Sequence, residues 1–246
     1  MIEAFIPAAG LGTRLKPLTD HKPKALVEVD GKTLLEIAIE KMKQLHAQRI
    51  VVNVHHFADL MTKYIQERDW GVEVLISDES QQLLDTGGGL KHAEPLFSGE
   101  HNILIHNVDV LDAIDYDCLF DFHNRNNALA TLAVSDRHTS RLLLVDSEDR
   151  LKGWTNTHTG ETLPAQTDPS RFQHLAFSGI ALINPLLLKM LPKATSPYPI
   201  IPEYLRLSNR ETITCFEHDA NEWLDVGKPE TITHASEMLR RTRQDI

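Results

Sequence analysis

The feature that most constrains the fold is an alternation in the first half of the chain, where short apolar runs are followed by segments with helical spacing. Residues 2–6 form an apolar run ended by Pro7, which suits a buried strand feeding a loop. Leu34, Ile37, Ala38, Met42 and Leu45 recur at helical spacing, with Glu36, Glu40, Lys41 and Lys43 between them, and predict an amphipathic helix. Residues 49–54 and 72–76 have strand character, and Leu60, Met61, Tyr64 and Ile65 predict a second helix over about 58–68. A helix is predicted over 89–96, an apolar strand over 103–105 running into His106-Asn107-Val108-Asp109, and another helix over 116–124. Strands separated by helices at this interval require right-handed crossovers and a sheet covered on both faces. The expected fold is therefore α/β and Rossmann-like, with a mostly parallel central sheet flanked by helices.

Beyond Ala128 the pattern changes. Apolar runs at 129–134, 142–145 and 175–183 follow one another with few helices between the first breaks, which predicts a smaller antiparallel extension. Residues 160–170, rich in Thr, Pro and Asp, read as a loop, either bordering a substrate pocket or simply connecting strands. Residues 212–216 and 222–226 are strand candidates, followed by a helix with Pro229 in its first turn.

The 246 residues, 41% of them hydrophobic, suffice for a full core, most simply as one domain. A formal net charge of −10 argues against general affinity for nucleic acid and points to a small partner. No run approaches the roughly 20 apolar residues of a membrane helix. Cys118 and Cys215 lack the spacing of a zinc site or a disulfide framework, so a reducing cytoplasm is expected. The adjacent pair His55-His56 has no third ligand at useful spacing and reads as solvated rather than metal-binding. Trp70, Trp154 and Trp223 are expected in or around the core.

In an open α/β sheet the loop after the first strand is the usual ligand cradle. Here Gly10 and Gly12 permit backbone conformations that a Cβ forbids and let amides approach phosphate oxygens, Thr13 adds a hydroxyl, and Arg14 and Lys24 add charge. Pro17 and Pro23 stiffen the segment between them. A tight turn would also explain the glycines. Leu15 stands where a dinucleotide fingerprint needs its third glycine, and the Gly-Lys-Ser/Thr of a Walker loop is missing. Asp109 follows an apolar strand directly, as does Asp225. Each carboxylate sits where a hard cation can bridge protein and phosphate, although turn or capping roles use the same residue type. Asn107 suits a ribose, a sugar hydroxyl, a metal-bound water or a turn. The run Gly87-Gly88-Gly89, read as lying just before a helix, leaves room for a planar base or serves as a flexible connector.

Gly10-Leu11-Gly12-Thr13-Arg14 with Pro23-Lys24 resembles the N-terminal motif of the sugar-1-phosphate nucleotidyltransferases. Thr86-Gly87-Gly88-Gly89, Asn107-Val108-Asp109, Phe177-Ser178-Gly179-Ile180 and Trp223-Leu224-Asp225-Val226-Gly227 follow in the order and spacing of the small bacterial members, so the resemblance spans nearly the whole chain. It implies a nucleoside triphosphate and a sugar 1-phosphate as substrates, and Mg²⁺ held by Asp109 and Asp225. It puts Ala8, Gly10, Glu79 and the segment from Thr86 through Gly87 and Gly88 around the nucleotide, together with Gly12, Thr13, Arg14 and Lys24. Arg14 and Lys24 are the expected catalytic cations, and Asn107, Ser178 and Gly179 are expected at the sugar. Residues 1–127 would be the nucleotide-binding half and 128–246 the sugar-binding half of a single domain. Within the family, the chain most resembles the branch transferring uridylyl to N-acetylmuramate 1-phosphate. The branch transferring guanylyl to mannose 1-phosphate is next, and enzymes that transfer cytidylyl to phosphocholine share the first motif. A non-catalytic nucleotide-binding regulatory module is the alternative from another class. One departure stands out: many relatives carry a Glu-Lys-Pro element whose lysine holds the acceptor phosphate, and residues 128–174 lack it, leaving Lys152 and Arg171 as substitutes.

Overall fold

The computed structural model describes residues 1–244, with side chains through residue 240. The first half contains β1 (Ile2–Pro7), a short hairpin of β2 (Glu28–Val29) and β3 (Lys32–Thr33), α1 (Leu34–Gln44), β4 (Ala47–Val54), α2 (Ala58–Gln66), β5 (Glu73–Asp78), α3 (Asp85–His92), β6 (Asn102–His106), β7 (Val110–Asp112) and α4 (Tyr116–Arg125). The second contains β8 (Ala130–Ser135), β9 (Arg141–Val145), β10 (Leu151–Asn156), β11 (Thr162–Leu163), β12 (Gln173–Ile183), α5 (Leu186–Met190), α6 (Ile200–Leu207), β13 (Ile213–Glu217), β14 (Trp223–Asp225) and α7 (Thr231–Gln244). No helix among the described residues is long and apolar enough to cross a membrane.

The central sheet runs β11-β10-β9-β12-β6-β1-β4-β5, with β8 beside β12 and β13 beside β8. Its β6-β1-β4-β5 part is parallel, and β12 joins β6 antiparallel, as the sequence predicts. The chain leaves β1 for β4 on one side and returns through β6 on the other. The carboxyl ends of β1 and β6 therefore flank the topological switch point, where open α/β sheets bind ligands. Period-two alternation along β1 sends Ala4 and Ile6 to one apolar cluster, with α1, α2, α4 and α7, and Phe5 to the other, with α3, α5 and α6. A capping box starts α1: the Thr33 hydroxyl accepts from the Glu36 amide at 3.1 Å, and the Glu36 carboxylate accepts from the Thr33 amide at 2.7 Å.

Three expectations are corrected. The last helix begins at Thr231, so Pro229 lies two residues ahead of it, its carbonyl accepting a turn bond from the Ile232 amide. The segment 160–170 is not wholly irregular, since it holds β11 and a 3₁₀ turn at Pro169–Arg171. The helix predicted over 89–96 starts at Asp85, which puts Gly87, Gly88 and Gly89 inside it rather than before it. Glycine in a helix costs about 1 kcal/mol relative to alanine, so packing must require it. It does: a Cβ on Gly87 would come within 2.5 Å of the Tyr198 ring, and one on Gly89 within 2.6 Å of Glu79 Oε1.

Candidate active site

The loop after β1 is braced from beneath by a buried polar relay. Asn53 Oδ1 accepts from the amides of Ala8 at 2.6 Å and Ala9 at 3.2 Å, while its Nδ2 donates to Glu79 Oε1 at 2.7 Å. Glu79 Oε2 accepts from the Leu84 amide at 3.0 Å. Farther along, Gly12 adopts φ +64°, and a Cβ there would stand 3.0 Å from Lys24 Cβ. Its carbonyl accepts from the Thr19 hydroxyl at 2.8 Å and from the Leu15 amide at 3.0 Å. The loop is thus folded tightly onto Lys24. Above it opens a cavity of about 250 Å³ lined by Leu11, Gly12, Thr13, Arg14, Lys24 and Gly227.

Asp109 and Asp225 meet beside this cavity. Strand β14 pairs antiparallel with β7, with Asp225 opposite Val110, and the Val226 amide donates to the Asp109 carbonyl at 2.8 Å. The two carboxylates interact directly. Lys24 Nζ lies 2.7 Å from Asp109, in a pair almost closed to solvent, and Arg14 lies 3.5 Å from Asp225 on the open side. Burial pushes Asp109 upward, but the attraction of Lys24 and its hydrogen bond outweigh this and hold the carboxyl below its ordinary range. Burial and then repulsion by Asp109 raise Asp225, with Arg14 opposing only in part. Asp225 Oδ1 is buried and accepts no hydrogen bond. A Cβ on Gly227 would stand 2.6 Å from that oxygen and 2.9 Å from an Arg14 nitrogen, so only glycine fits. Two adjacent carboxylates with an unsatisfied oxygen suit a hard divalent cation. Mg²⁺ takes one or two protein carboxylates and completes its shell with water and substrate phosphate. No group of three or more His, Cys, Asp and Glu residues suited to a metal occurs among the described residues.

On the far side of Asp225 lies a second cavity of about 370 Å³, whose walls include Asn107, Arg137, Trp154, Phe177, Gly179 and Trp223. It owes its shape to an irregularity in β12, where the pairing with β8 shifts register between Phe177 and Ala181. Gly179, at φ +75°, occupies the irregularity, its carbonyl accepting from the Asn107 amide at 3.0 Å, and a Cβ there would lie 2.5 Å from Asn107 Nδ2. Both carboxylates line this larger cavity, while their partners Lys24 and Arg14 line the smaller one, so the two ion pairs stand between the chambers.

Residues 3–149, more than half of the chain, match the family described as nucleotidyl transferase. The chain belongs to that family. It is a sugar-1-phosphate nucleotidyltransferase by its relatives as well. It is 31% identical to the N-acetylmuramate alpha-1-phosphate uridylyltransferase of Caulobacter vibrioides over 92% of each chain. It is 28% identical to a mannose-1-phosphate guanyltransferase of Yarrowia lipolytica, over 93% of this chain and 61% of that one. The transferase shares its fold with HddC from Yersinia pseudotuberculosis, at a TM-score of 0.77 and 20% identity over 97% of this chain and all of that one.

Of the residues predicted for the transferase's site, Gly12, Thr13, Arg14 and Lys24 converge on the smaller cavity, with Gly10 close by on the same loop, and Asp109 and Asp225 meet between the chambers. Asn107 and Gly179 line the larger one. Others are engaged differently. The Ala8 amide and the Glu79 carboxylate belong to the brace under the loop, and the amides of Gly87 and Gly88 both donate to the Tyr198 carbonyl. The Thr86 hydroxyl accepts from the Ile200 amide at 2.9 Å. Ser178 borders the larger cavity, but its hydroxyl is bonded to His218 Nε2 at 2.7 Å and its carbonyl accepts from Trp223 Nε1 at 2.7 Å. Lys152 pairs with Asp146 at 3.1 Å, and Arg171 is exposed on its 3₁₀ turn, so neither reaches the cavity walls. Trp154 and Trp223 pack against the core and wall the cavity at once. Sequence reasoning missed Asn53 and Arg137. Asn53 is a polar residue inside the apolar run Ile50-Val51-Val52-Asn53-Val54, a visible sign of a buried polar role. Arg137 sits in a short polar stretch after β8 with nothing to mark it.

Proposed function

We propose that this enzyme transfers uridylyl from UTP to N-acetylmuramate 1-phosphate, with Mg²⁺ held by Asp109 and Asp225, giving the nucleotide sugar and pyrophosphate. The observation that carries this reading is the placement of the carboxylate pair between a cationic, glycine-lined chamber and a wider one walled by aromatic and arginine side chains. Similarity over nearly the full length to a uridylyltransferase acting on this acceptor supports the choice of substrates. Residues 1–127 supply the triphosphate side and 128–246 most of the acceptor side, with Asp225 reaching back to Asp109.

The transfer is an in-line displacement. A phosphate oxygen of the acceptor forms a bond to the α-phosphorus as the bond from that phosphorus to the bridging oxygen breaks, and pyrophosphate departs with the electron pair. Catalysis is a matter of alignment and charge, since two polyanions must approach one another. A bound Mg²⁺ supplies Lewis-acid polarisation of phosphate oxygens. Lys24, held rigidly against the loop, meets the α-phosphate. Arg14, more exposed and only loosely paired, is free to turn toward the leaving pyrophosphate. Asn107 and Gly179 orient the acceptor.

The test is pyrophosphate release with each nucleoside triphosphate against a panel of sugar 1-phosphates and phosphocholine. The highest kcat/KM is expected for UTP with N-acetylmuramate 1-phosphate. A maximum at GTP with mannose 1-phosphate, or at CTP with phosphocholine, would replace this assignment. Absence of release in every pairing would leave a nucleotide-binding module as the surviving reading.

A further inference from the structure

The acceptor's phosphate must be met by a cation, and the family's Glu-Lys-Pro lysine has no counterpart here. The larger cavity holds no lysine in its walls, but besides Arg14 it holds Arg137 and Arg141. Arg137 is half-buried, and its guanidinium lies over the Trp223 indole, 3.9 Å from the ring centre. One terminal nitrogen donates to the Phe177 carbonyl at 2.6 Å. The indole is fixed in turn by its own bond to the Ser178 carbonyl. The plane of the guanidinium is therefore set before any ligand arrives, which reduces the ordering that binding requires. Its Nε is buried with no acceptor. A buried guanidinium N–H left unpaired is unfavourable, and a phosphate oxygen is the partner its planar fork fits best. Trp223 and Asp225 lie on the same short strand, so an anion seated on Arg137 lies beside the carboxylate pair.

Arg141, which opens β9, is exposed at the rim of the same cavity, and Thr139 lies in the wall between the two arginines along the chain. Leu143, Trp154 and Ile201 complete the wall with apolar surface. A neutral sugar 1-phosphate carries a single anionic group, for which Arg137 suffices.

We propose that Arg137 binds the 1-phosphate of the acceptor and that Arg141 binds a second anionic group of the same acceptor, so that the enzyme selects acidic sugar 1-phosphates over neutral ones. The inference rests on reading the larger cavity as the acceptor side.

The test compares wild type, Arg137→Gln, Arg137→Lys and Arg141→Gln at saturating UTP, with N-acetylmuramate 1-phosphate as acidic acceptor and N-acetylglucosamine 1-phosphate as its neutral counterpart. Loss of a charge-assisted contact is worth roughly tenfold to a hundredfold. Arg137→Gln is expected to lower acceptor kcat/KM by about that factor with both acceptors, while UTP affinity measured by calorimetry stays within about twofold. Arg137→Lys keeps the charge without the planar fork and should fall between, which also provides a readout if the glutamine variant folds poorly. Arg141→Gln should shrink the preference for the acidic acceptor about tenfold. Unchanged acceptor kcat/KM in both Arg137 variants, or equal loss of acceptor and UTP affinity, would overturn the phosphate assignment. An unchanged preference in Arg141→Gln would overturn the second. If wild type prefers a neutral acceptor such as mannose 1-phosphate, the substrate reading and the role of Arg141 both fall. The Arg137 variants assayed with that neutral acceptor then decide the phosphate contact on its own.

Discussion

The chambers on either side of the Asp109–Asp225 pair are built by different means. The smaller is lined almost entirely by one contiguous loop, Leu11 to Lys24, whose conformation is fixed by Gly12 and by the Asn53–Glu79 brace. The larger is assembled from side chains delivered by the turn after β8, by β9, β10 and β12, and by β14. Their ion pairs differ in the same sense: Lys24–Asp109 is short and nearly closed to solvent, whereas Arg14–Asp225 is long and open. A polyphosphate can be recognised by backbone and fixed cations alone, while discriminating one sugar from another requires side chains gathered from distant strands. One side is a cradle made by a single loop and the other a wall gathered from distant strands.

The sharpest way to break this contrast is to neutralise the shared pair. Asp225→Asn is expected to lower kcat by about a hundredfold or more, on the scale of a lost oxyanion donor. It should also raise the melting temperature of the ligand-free protein, because a charge disfavoured by burial and then by repulsion from Asp109 is removed. A calorimetric scan beside a turnover assay reads both, and a lowered melting temperature would contradict this account of the pair. Next in size is the difference between the two cations. Lys24→Met strands a buried carboxylate and should cost about 3 kcal/mol of stability in denaturant unfolding. Arg14→Met removes an exposed partner and should cost less than about 1 kcal/mol, although turnover suffers in both. Equal losses of stability would erase the distinction between buried and open pairs.

In the larger cavity, Gly179→Ala places a Cβ against Asn107 in a left-handed backbone, at a cost of about 1–2 kcal/mol. It should reduce kcat/KM for the acceptor more than affinity for UTP, and the reverse result would move Gly179 to the triphosphate side. The last expected effect concerns acid. His123 on α4 hydrogen-bonds the Thr131 hydroxyl of β8, which meets Thr214 of β13, and burial lowers its pKa from 6.5 to about 4. The unfolded chain takes up a proton in that interval while the folded one does not, so stability falls as pH drops from about 6.5 toward 4. Unfolding of His123→Gln should lack this part of the pH dependence.

The same contrast explains what could be read in the sequence. The strands of the parallel sheet and the amphipathic helices α1, α2 and α4 were legible because burial of one face imposes a period on the residues. The Gly10-Leu11-Gly12-Thr13-Arg14 loop was legible because its conformation rests on backbone geometry, which only certain residues permit. Arg137 was not, because an arginine after a strand carries no local mark of the indole it will lie against, 86 positions later at Trp223. The triple glycine was misplaced for a related reason: glycine weakens any helical signal, and the Tyr198 ring that demands Gly87 is far away in sequence. Ser178 was read as open to a sugar because its partner, His218, lies just past the end of β13, 40 positions on, where no periodicity announces its approach.

The register of β14 against β7 has a consequence for how the enzyme comes into being. During synthesis the Leu11–Lys24 loop and Asp109 leave the ribosome well before Trp223–Asp225, so the carboxylate pair cannot form until β14 has been made. Two three-residue strands, distant along the chain, thus complete the site last, and a chain released short of Trp223 would carry only half of the acidic pair.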